Sequence, residues 1–223
     1  MVNGSHLKLD EEGEIDKKDY LKIKSDDFAC QFYFRSANFD RSKGAEITIF
    51  LDFQCSNSAK FFSKYTIGMY QMMQQGVISV RIVPLIWVEP SPGGHHYPIR
   101  AANKARVVLR FQPKILWQFL TFLLHRDSVP GLYEDYDLEK GSDEAIAKLA
   151  YYAGASEKTI YNIMEYRHSK EFTDRIFLQS AILRYQKCIT QTPTVYIDDL
   201  IWNNRENFLN VIQKRIKYRK NKH

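Results

Sequence analysis

The residues with the clearest chemical potential form the run Cys55-Ser56-Asn57-Ser58, where a strand-like apolar pattern gives way to a helical one. A cysteine in the first turn of a helix lies near unpaired backbone N–H groups and the positive end of the helix dipole, which favour thiolate over thiol. The neighbouring hydroxyls and the Asn57 amide can add hydrogen bonds to that sulfur. Cys55 is therefore a candidate nucleophile. The alternative is a small residue that packs or caps the helix in a protein used as a scaffold.

The chain has two further cysteines, Cys30 and Cys188. Three widely spaced cysteines are too few for a disulfide framework or a zinc site. We expect Cys30 and Cys188 to be small core side chains, as free cysteines usually are. The alternative is that one of them resolves a disulfide formed at Cys55, which depends on side-chain proximity.

Three other polar residues, Asp52, His95 and His96, are candidates for a role in chemistry. Asp52 precedes Cys55 by three residues, so it is a candidate proton-transfer group, although we expect a hydrogen-bonded acid at a strand end. His95 and His96 are adjacent in a loop rich in glycine and proline. Adjacent imidazoles point apart and no other ligands follow at zinc spacing, so the sequence predicts no metal site.

The elements that must position Cys55 follow from the hydrophobic pattern. Residues 46–53 (EITIFLDF) are β-branched and almost continuously apolar, which is typical of a strand buried on both faces. Helical spacing follows and ends around Gly76, and residues 77–87 predict another strand. Strand, helix and strand in this order predict a right-handed crossover with parallel pairing. An aromatic run at residues 28–34 predicts an earlier strand.

Residues 100–168 carry helical signals and no convincing strand. Ser142 and Ser156 precede apolar helical patterns and are predicted N-caps, and Gly154 is a predicted helix terminator. This block predicts a helical subdomain.

The chain then returns to the sheet. Residues 170–185 predict a helix, residues 194–197 a strand, residues 200–202 its partner strand, and residues 206–217 a last helix. The whole order predicts an α/β protein with a thioredoxin fold that carries inserted helices.

Three motifs resemble the DsbA-like branch of the thioredoxin-fold proteins, which are thiol-disulfide oxidoreductases. Residues 45–61 (AEITIFLDFQCSNSAKF) are similar to the strand, Asp-Phe-Gln-Cys and helix of that family. Residues 101–119 resemble its first inserted helices, and Thr192-Pro193-Thr194 resembles its Thr-Pro-Thr loop. The resemblance runs from about Phe39 to about Ile212.

The resemblance implies where the site residues lie. Cys55 and Ser58 take the catalytic positions, and Ser56, Asn57, Thr192 and Pro193 take the substrate-binding positions. The Thr192–Pro193 bond is expected to be cis and to face Cys55, so that the Thr192 backbone binds an extended substrate. The chain departs from the family at Ser58, which replaces the second cysteine. A dithiol mechanism within this motif is excluded because serine cannot resolve a mixed disulfide.

Three functions are compatible with these residues. The first is a monothiol thiol-disulfide oxidoreductase or isomerase that acts on proteins or peptides through Cys55. It needs no bound cofactor, and glutathione or the thiol of a partner protein would resolve the adduct. The second is a redox-inactive binding or chaperone module that uses the groove beside Pro193. The third is a glutathione-dependent transferase or isomerase, which the Thr-Pro-Thr loop and the helical insertion favour least.

Composition and charge limit the partners and the compartment that we expect for this protein. The chain has 223 residues, 44% of them hydrophobic, and a formal charge of +6 that is spread along the sequence. We expect no nucleic-acid partner and read the basic run at residues 214–222 as a solvated helix end, or else as an arm for an anionic partner. We predict a mobile segment at residues 1–27, a thioredoxin-like domain at 28–88 and 186–223, and a helical subdomain at 89–185. No membrane span or signal peptide is expected in this chain, although the resemblance implies an exported or periplasmic protein.

Overall fold

The computed structural model describes residues 30–86, 97–125, 142–166, 170–186 and 189–221. Its strands are β1 (Phe32–Arg35), β2 (Ala45–Leu51), β3 (Ile78–Pro84), β4 (Thr194–Ile197) and β5 (Leu200–Ile201). Its α-helices are α1 (Ser56–Gln74), α2 (Tyr97–Phe111), α3 (Leu116–Leu124), α4 (Asp143–Tyr152), α5 (Glu157–Glu165), α6 (Lys170–Gln186) and α7 (Phe208–Lys220), and a 3₁₀ turn (Pro113–Ile115) precedes α3. The order confirms the predicted α/β thioredoxin fold with inserted helices.

The five strands form one sheet in the order β1-β3-β2-β4-β5. The two central strands, β2 and β3, are parallel and paired from Ala45 with Ile78 to Leu51 with Pro84. The remaining neighbours are antiparallel. Because helices cover both faces of the centre, β2 and β3 are almost entirely buried, which explains their continuous apolar sequences. The predicted parallel strand-helix-strand unit is thus confirmed.

Two strand predictions were too long. The first strand begins at Phe32 rather than residue 28, and residues 28 and 29 lie outside the described part of the chain. The strand predicted at residues 77–87 runs from Ile78 to Pro84, and residue 87 lies outside the described part of the chain.

Two helix starts also differ from the sequence prediction. Helix α2 is described from Tyr97, three residues before the start expected at residue 100, and Pro98 is compatible with a first helical turn. Helix α7 begins at Phe208 rather than at residue 206, since the Asn207 side chain accepts hydrogen bonds from the amides of Leu209 and Asn210 and so sets the helix start.

The other helix signals lie where the sequence placed them. Ser142 accepts a hydrogen bond from the Ala145 amide, and Ser156 accepts one from Thr159, so both serines are N-caps. Gly76 follows α1 with a φ of 69°, in the left-handed region that glycine adopts without strain.

The inserted helices lie between β3 and β4 and pack against α1. Trp117 of α3 contacts Phe62 of α1 at 5.3 Å between ring centroids, and it contacts Phe34 of β1 at 5.0 Å. Phe62 is fully buried. One apolar core therefore joins the sheet, α1 and the insertion, which fixes the position of the α1 N-terminus. In the described ranges no helix is long and apolar enough to span a membrane.

The basic end of α7 is held to the sheet. Arg215 and Arg219 both contact the Asp198 carboxylate, at 2.7 and 2.9 Å, and Asp198 also accepts a hydrogen bond from the Glu46 amide. Part of the predicted solvated run is therefore paired within the fold, because these two arginines face the turn between β4 and β5. The predicted mobile segment at residues 1–27 lies outside the described residues.

Candidate active site

Cys55 lies between the end of β2 and the start of α1. A short turn connects them, in which the Cys55 amide donates to the Asp52 carbonyl at 3.1 Å and the Asp52 carboxylate accepts from the Gln54 amide at 2.7 Å. Cys55 itself has extended backbone angles and is the N-cap residue of α1. Its carbonyl accepts the first helical hydrogen bond, from Ala59. The thiol therefore lies at the N-terminal end of α1.

The electrostatic surroundings of this helix start favour a negative charge. The Cys55 side chain makes no capping hydrogen bond, and the first turn of α1 contains no acidic residue. Backbone N–H groups at the start of a helix have no partner within the helix. A negative charge placed there is typically stabilised by about 0.3–1 kcal/mol. A thiolate at Cys55 would gain this stabilisation.

The loop that precedes β4 faces the thiol. The Cys55 S–H donates a hydrogen bond to the Thr192 carbonyl, with 3.1 Å between sulfur and oxygen. The Thr192–Pro193 peptide bond is cis, and the Thr194 hydroxyl donates to the Gln191 carbonyl at 2.7 Å across the same loop. The structure therefore brings together two motifs that are 137 residues apart in sequence.

Two buried hydroxyl groups belong to these motifs. Ser58 is fully buried and Thr192 is 5% exposed. Neither Ser58 Oγ nor Thr192 Oγ1 has a hydrogen-bond partner in the described structure. Ser56 and Asn57 are exposed, whereas Ser58 of the same motif is buried. No sequence pattern signals the two unpaired hydroxyls, because pairing depends on side-chain directions set by the whole fold.

Solved structures show which fold surrounds this site, whereas no family model and no curated protein match the sequence. MdbA, a thiol-disulfide oxidoreductase from Actinomyces oris, superposes with a TM-score of 0.66 at 14% identity over 85% of this chain and 86% of its own. Reduced DsbA from Mycobacterium tuberculosis gives a TM-score of 0.64 at 18% identity over 84% and 91%. The disulfide oxidoreductase DsbG from the same organism gives 0.63 at 20% identity over 91% of both chains. The chain has the DsbA-like fold.

Within this DsbA-like fold, Asp52 is a buried acid at the strand end. Its side chain is fully buried and fixes the turn before Cys55 through the Gln54 amide. This placement agrees with the expected hydrogen-bonded acid. The Asp52 carboxylate therefore helps to fix the backbone that leads to Cys55.

Cys30 is the second cysteine that the structure describes. It is 2% exposed, and its backbone exchanges two hydrogen bonds of 3.0 Å with the Gln179 side chain. Burial raises the pKa of the Cys30 thiol to about 12, although the nearby Arg106 acts in the opposite direction. Cys30 and Cys55 are both free thiols.

These properties decide between the two interpretations of Cys30. A thiol with a pKa near 12 holds almost no thiolate at neutral pH, and thiolate is the attacking form. Cys30 is therefore a small buried core residue, as expected, and is unsuited to resolving an adduct at Cys55. Cys188, His95 and His96 lie outside the described residues, so their interpretations stay predictions.

Proposed function

We propose that this protein is a monothiol thiol-disulfide oxidoreductase or isomerase that forms mixed disulfides with protein substrates through Cys55. The observation that carries the proposal is the placement of a half-buried thiol at an uncapped helix start, 3.1 Å from the carbonyl of the cis-proline loop. The DsbA-like fold supports it, because the structures that share this fold include proteins described as thiol-disulfide oxidoreductases.

The reaction begins with the Cys55 thiolate attacking a substrate disulfide. A new bond forms between Cys55 Sγ and one substrate sulfur, the substrate S–S bond breaks, and the other sulfur leaves as a thiolate. The same exchange in reverse releases Cys55 as the leaving group. The Ser58 and Thr192 hydroxyls are the buried donors that belong to the two motifs, and we assign them to hydrogen bonds with the sulfur when it is charged.

Resolution of the adduct must come from outside the motif. Ser58 has no thiol, so the mixed disulfide persists until an external thiolate attacks it. A low-molecular-weight thiol such as glutathione, or a cysteine of a partner protein, supplies this step. The reaction needs no bound cofactor.

Substrate binding is assigned to the surface around the thiol. Ser56 and Asn57 follow Cys55 and are exposed, and the carbonyl of Thr192, which precedes Pro193, accepts from Cys55. An extended peptide can use main-chain hydrogen bonds along such a loop. Substrates of this kind keep their disulfides in oxidising compartments, so we propose an exported or periplasmic protein.

The test is adduct formation on the intact chain. Reduced protein is mixed with a peptide disulfide and the product is analysed by intact-mass and peptide mass spectrometry. We expect one peptide per chain, attached at Cys55, stable until glutathione is added and absent from Cys55→Ser. Cys30→Ser is the matched control and should form the adduct at the wild-type rate. A rate no faster than that of an unstructured cysteine peptide would refute the proposal and favour a redox-inactive binding module.

A further inference from the structure

Helix α2 carries positive charge that the described structure does not balance. Its sequence contains four cationic residues and no acidic residue. Lys104 pairs with Asp143, whereas the guanidinium groups of Arg106 and Arg110 have no carboxylate partner among the described residues. The two arginines are four residues apart, on the same side of the helix, so they repel each other. An anion bound to both would remove this repulsion.

A pocket of about 370 Å³, here called the α2 pocket, lies beside these two arginines and is lined by both of them. Of its other lining residues, Cys30 and Val107 are buried, whereas Leu109, Phe111 and Tyr166 are 41–46% exposed. Among the described residues, no acidic side chain and no residue of the candidate active site lines this pocket. The α2 pocket is therefore a separate site with apolar walls and positive charge.

Aromatic rings hold both guanidinium groups in place. Arg106 Cζ lies 4.6 Å from the ring centroid of Phe172, and Arg110 Cζ lies 5.4 Å from that of Phe111. A guanidinium over a ring face keeps the N–H groups in its own plane available as donors. Burial raises the pKa of the Cys30 thiol and Arg106 lowers it, so the charge of Arg106 acts inside the pocket that Cys30 lines.

We propose that the α2 pocket binds a small aromatic carboxylate. Its carboxylate pairs with Arg106 and Arg110, and its ring packs against the exposed apolar side chains of the pocket. Each guanidinium presents paired N–H donors that match the two oxygens of a carboxylate. This inference goes beyond the proposed function and does not rest on it, because the pocket includes no residue of the active site.

The composition of the pocket selects this class of ligand over two others. An inorganic anion would pair with the arginines but would leave the apolar walls in contact with water. A neutral apolar molecule would cover the walls but would take the guanidinium groups out of water without pairing them. The volume lies near the lower end of the range of about 300–1,000 Å³ for ligand pockets, which is suited to one small molecule.

The test uses 2-naphthoate as the probe and 2-naphthalenemethanol as its uncharged counterpart. Each is titrated into the full chain, and binding is followed through the amide chemical shifts. We expect one 2-naphthoate per chain, with saturable shifts at Cys30, Gln31, residues 106–111 and Tyr166. The alcohol should bind at least about tenfold more weakly, because it lacks the charge that pairs with the arginines.

Two double variants assign the binding to the arginines. Arg106→Gln with Arg110→Gln should weaken the binding of 2-naphthoate at least about tenfold. Arg205→Gln with Lys217→Gln is the matched control, because it removes two exposed positive charges from the C-terminal part of the chain. The control should bind 2-naphthoate as the wild type does. Both variants should form the adduct at Cys55 at the wild-type rate.

Arginine modification supplies a second measurement that needs only the wild-type protein. Phenylglyoxal modifies accessible arginine side chains, and peptide mass spectrometry locates each product. Saturating 2-naphthoate should slow the modification of Arg106 and Arg110 and leave the rate at Arg205 unchanged. The inference is overturned if the chemical shifts do not saturate, if the alcohol binds as tightly as 2-naphthoate, or if 2-naphthoate leaves both arginines unprotected. None of these results affects the proposed function, which depends on the adduct at Cys55.

Discussion

Replacing Ser58 by alanine should make the reduced protein more stable and Cys55 less reactive. The Ser58 side chain is fully buried in the first turn of α1, and its hydroxyl has no hydrogen-bond partner in the described structure. A buried hydroxyl without a partner lowers stability, because water would have bonded to it in the unfolded chain. If the hydroxyl bonds only to a charged sulfur, its removal raises the free energy of unfolding of the reduced protein and lowers the rate of adduct formation.

The magnitude follows from three contributions. An unsatisfied buried polar group costs about 1–3 kcal/mol, and alanine adds a helix-propensity advantage of up to about 0.5 kcal/mol over serine. Loss of the packing of one oxygen atom offsets part of this gain. A net increase of about 1 kcal/mol in the free energy of unfolding raises the Tm of a chain of this size by about 2–4 °C. Loss of one hydrogen bond to the thiolate, at least about 1.5 kcal/mol, slows adduct formation at least about tenfold.

The assays are urea denaturation and calorimetry of the reduced protein, with adduct formation measured by mass spectrometry. Ser63→Ala is the matched control, because Ser63 is an exposed serine further along α1 and reports helix propensity alone. A Ser58→Ala protein that is less stable than wild type would show that the hydroxyl has a partner in the resting state. An unchanged rate of adduct formation would remove Ser58 from the reaction.

Three further predictions concern the framework of the site. Lys104→Met should lower the free energy of unfolding by about 3 kcal/mol, measured in urea, because the buried ammonium pairs with the Asp143 carboxylate at 2.9 Å; adding Asp143→Asn should recover part of the loss. Stability should fall as pH rises from about 9 towards 12, by at most about 1.4 kcal/mol per unit, because the Cys30 pKa is raised in the fold and only the unfolded thiol ionises there. Cys30→Ala should remove that slope, and an equal slope in the variant would refute the assignment. Gly76→Ala should lower the Tm, since φ is 69° and the new Cβ would lie 3.2 Å from the Asn38 backbone; an unchanged Tm would contradict this.

The sequence predicted those parts of the fold in which the local pattern of residues is compatible with only one type of secondary structure. The continuous apolar run of β2 could satisfy its backbone only in the centre of a sheet, and the serine caps of α4 and α5 sit directly before apolar helical spacing. Element ends were predicted less well where competing signals lie side by side. The last helix was predicted to begin at residue 206, whereas the Asn207 side chain caps it and sets its start at Phe208.

The site itself was only partly predictable for a different reason. The helix start at Cys55 is a local feature, so its place was correctly anticipated from the residues around it. The contact between Cys55 and the Thr192 carbonyl joins distant segments through the antiparallel pairing of β2 with β4, and only the family resemblance anticipated it. The lack of a partner for the Ser58 hydroxyl follows from side-chain rotamers that no spacing rule encodes.

The environment of Ser58 is relevant to the choice between a reactive thiol and a redox-inactive scaffold. The buried Ser58 hydroxyl has no partner in the described structure, and alanine would fill the position at a lower free-energy cost if no sulfur chemistry used it. The same hydroxyl becomes useful when the sulfur one turn earlier carries a negative charge, since hydrogen bonds to ionised groups are about twice as strong as neutral ones. Under the proposed function, the hydroxyls of Ser58 and Thr192, which have no partner in the described structure, would bond to the sulfur when it is charged. Under the proposed function, these hydrogen bonds would stabilise the thiolate both as attacking group and as leaving group, the two states that a monothiol exchange requires.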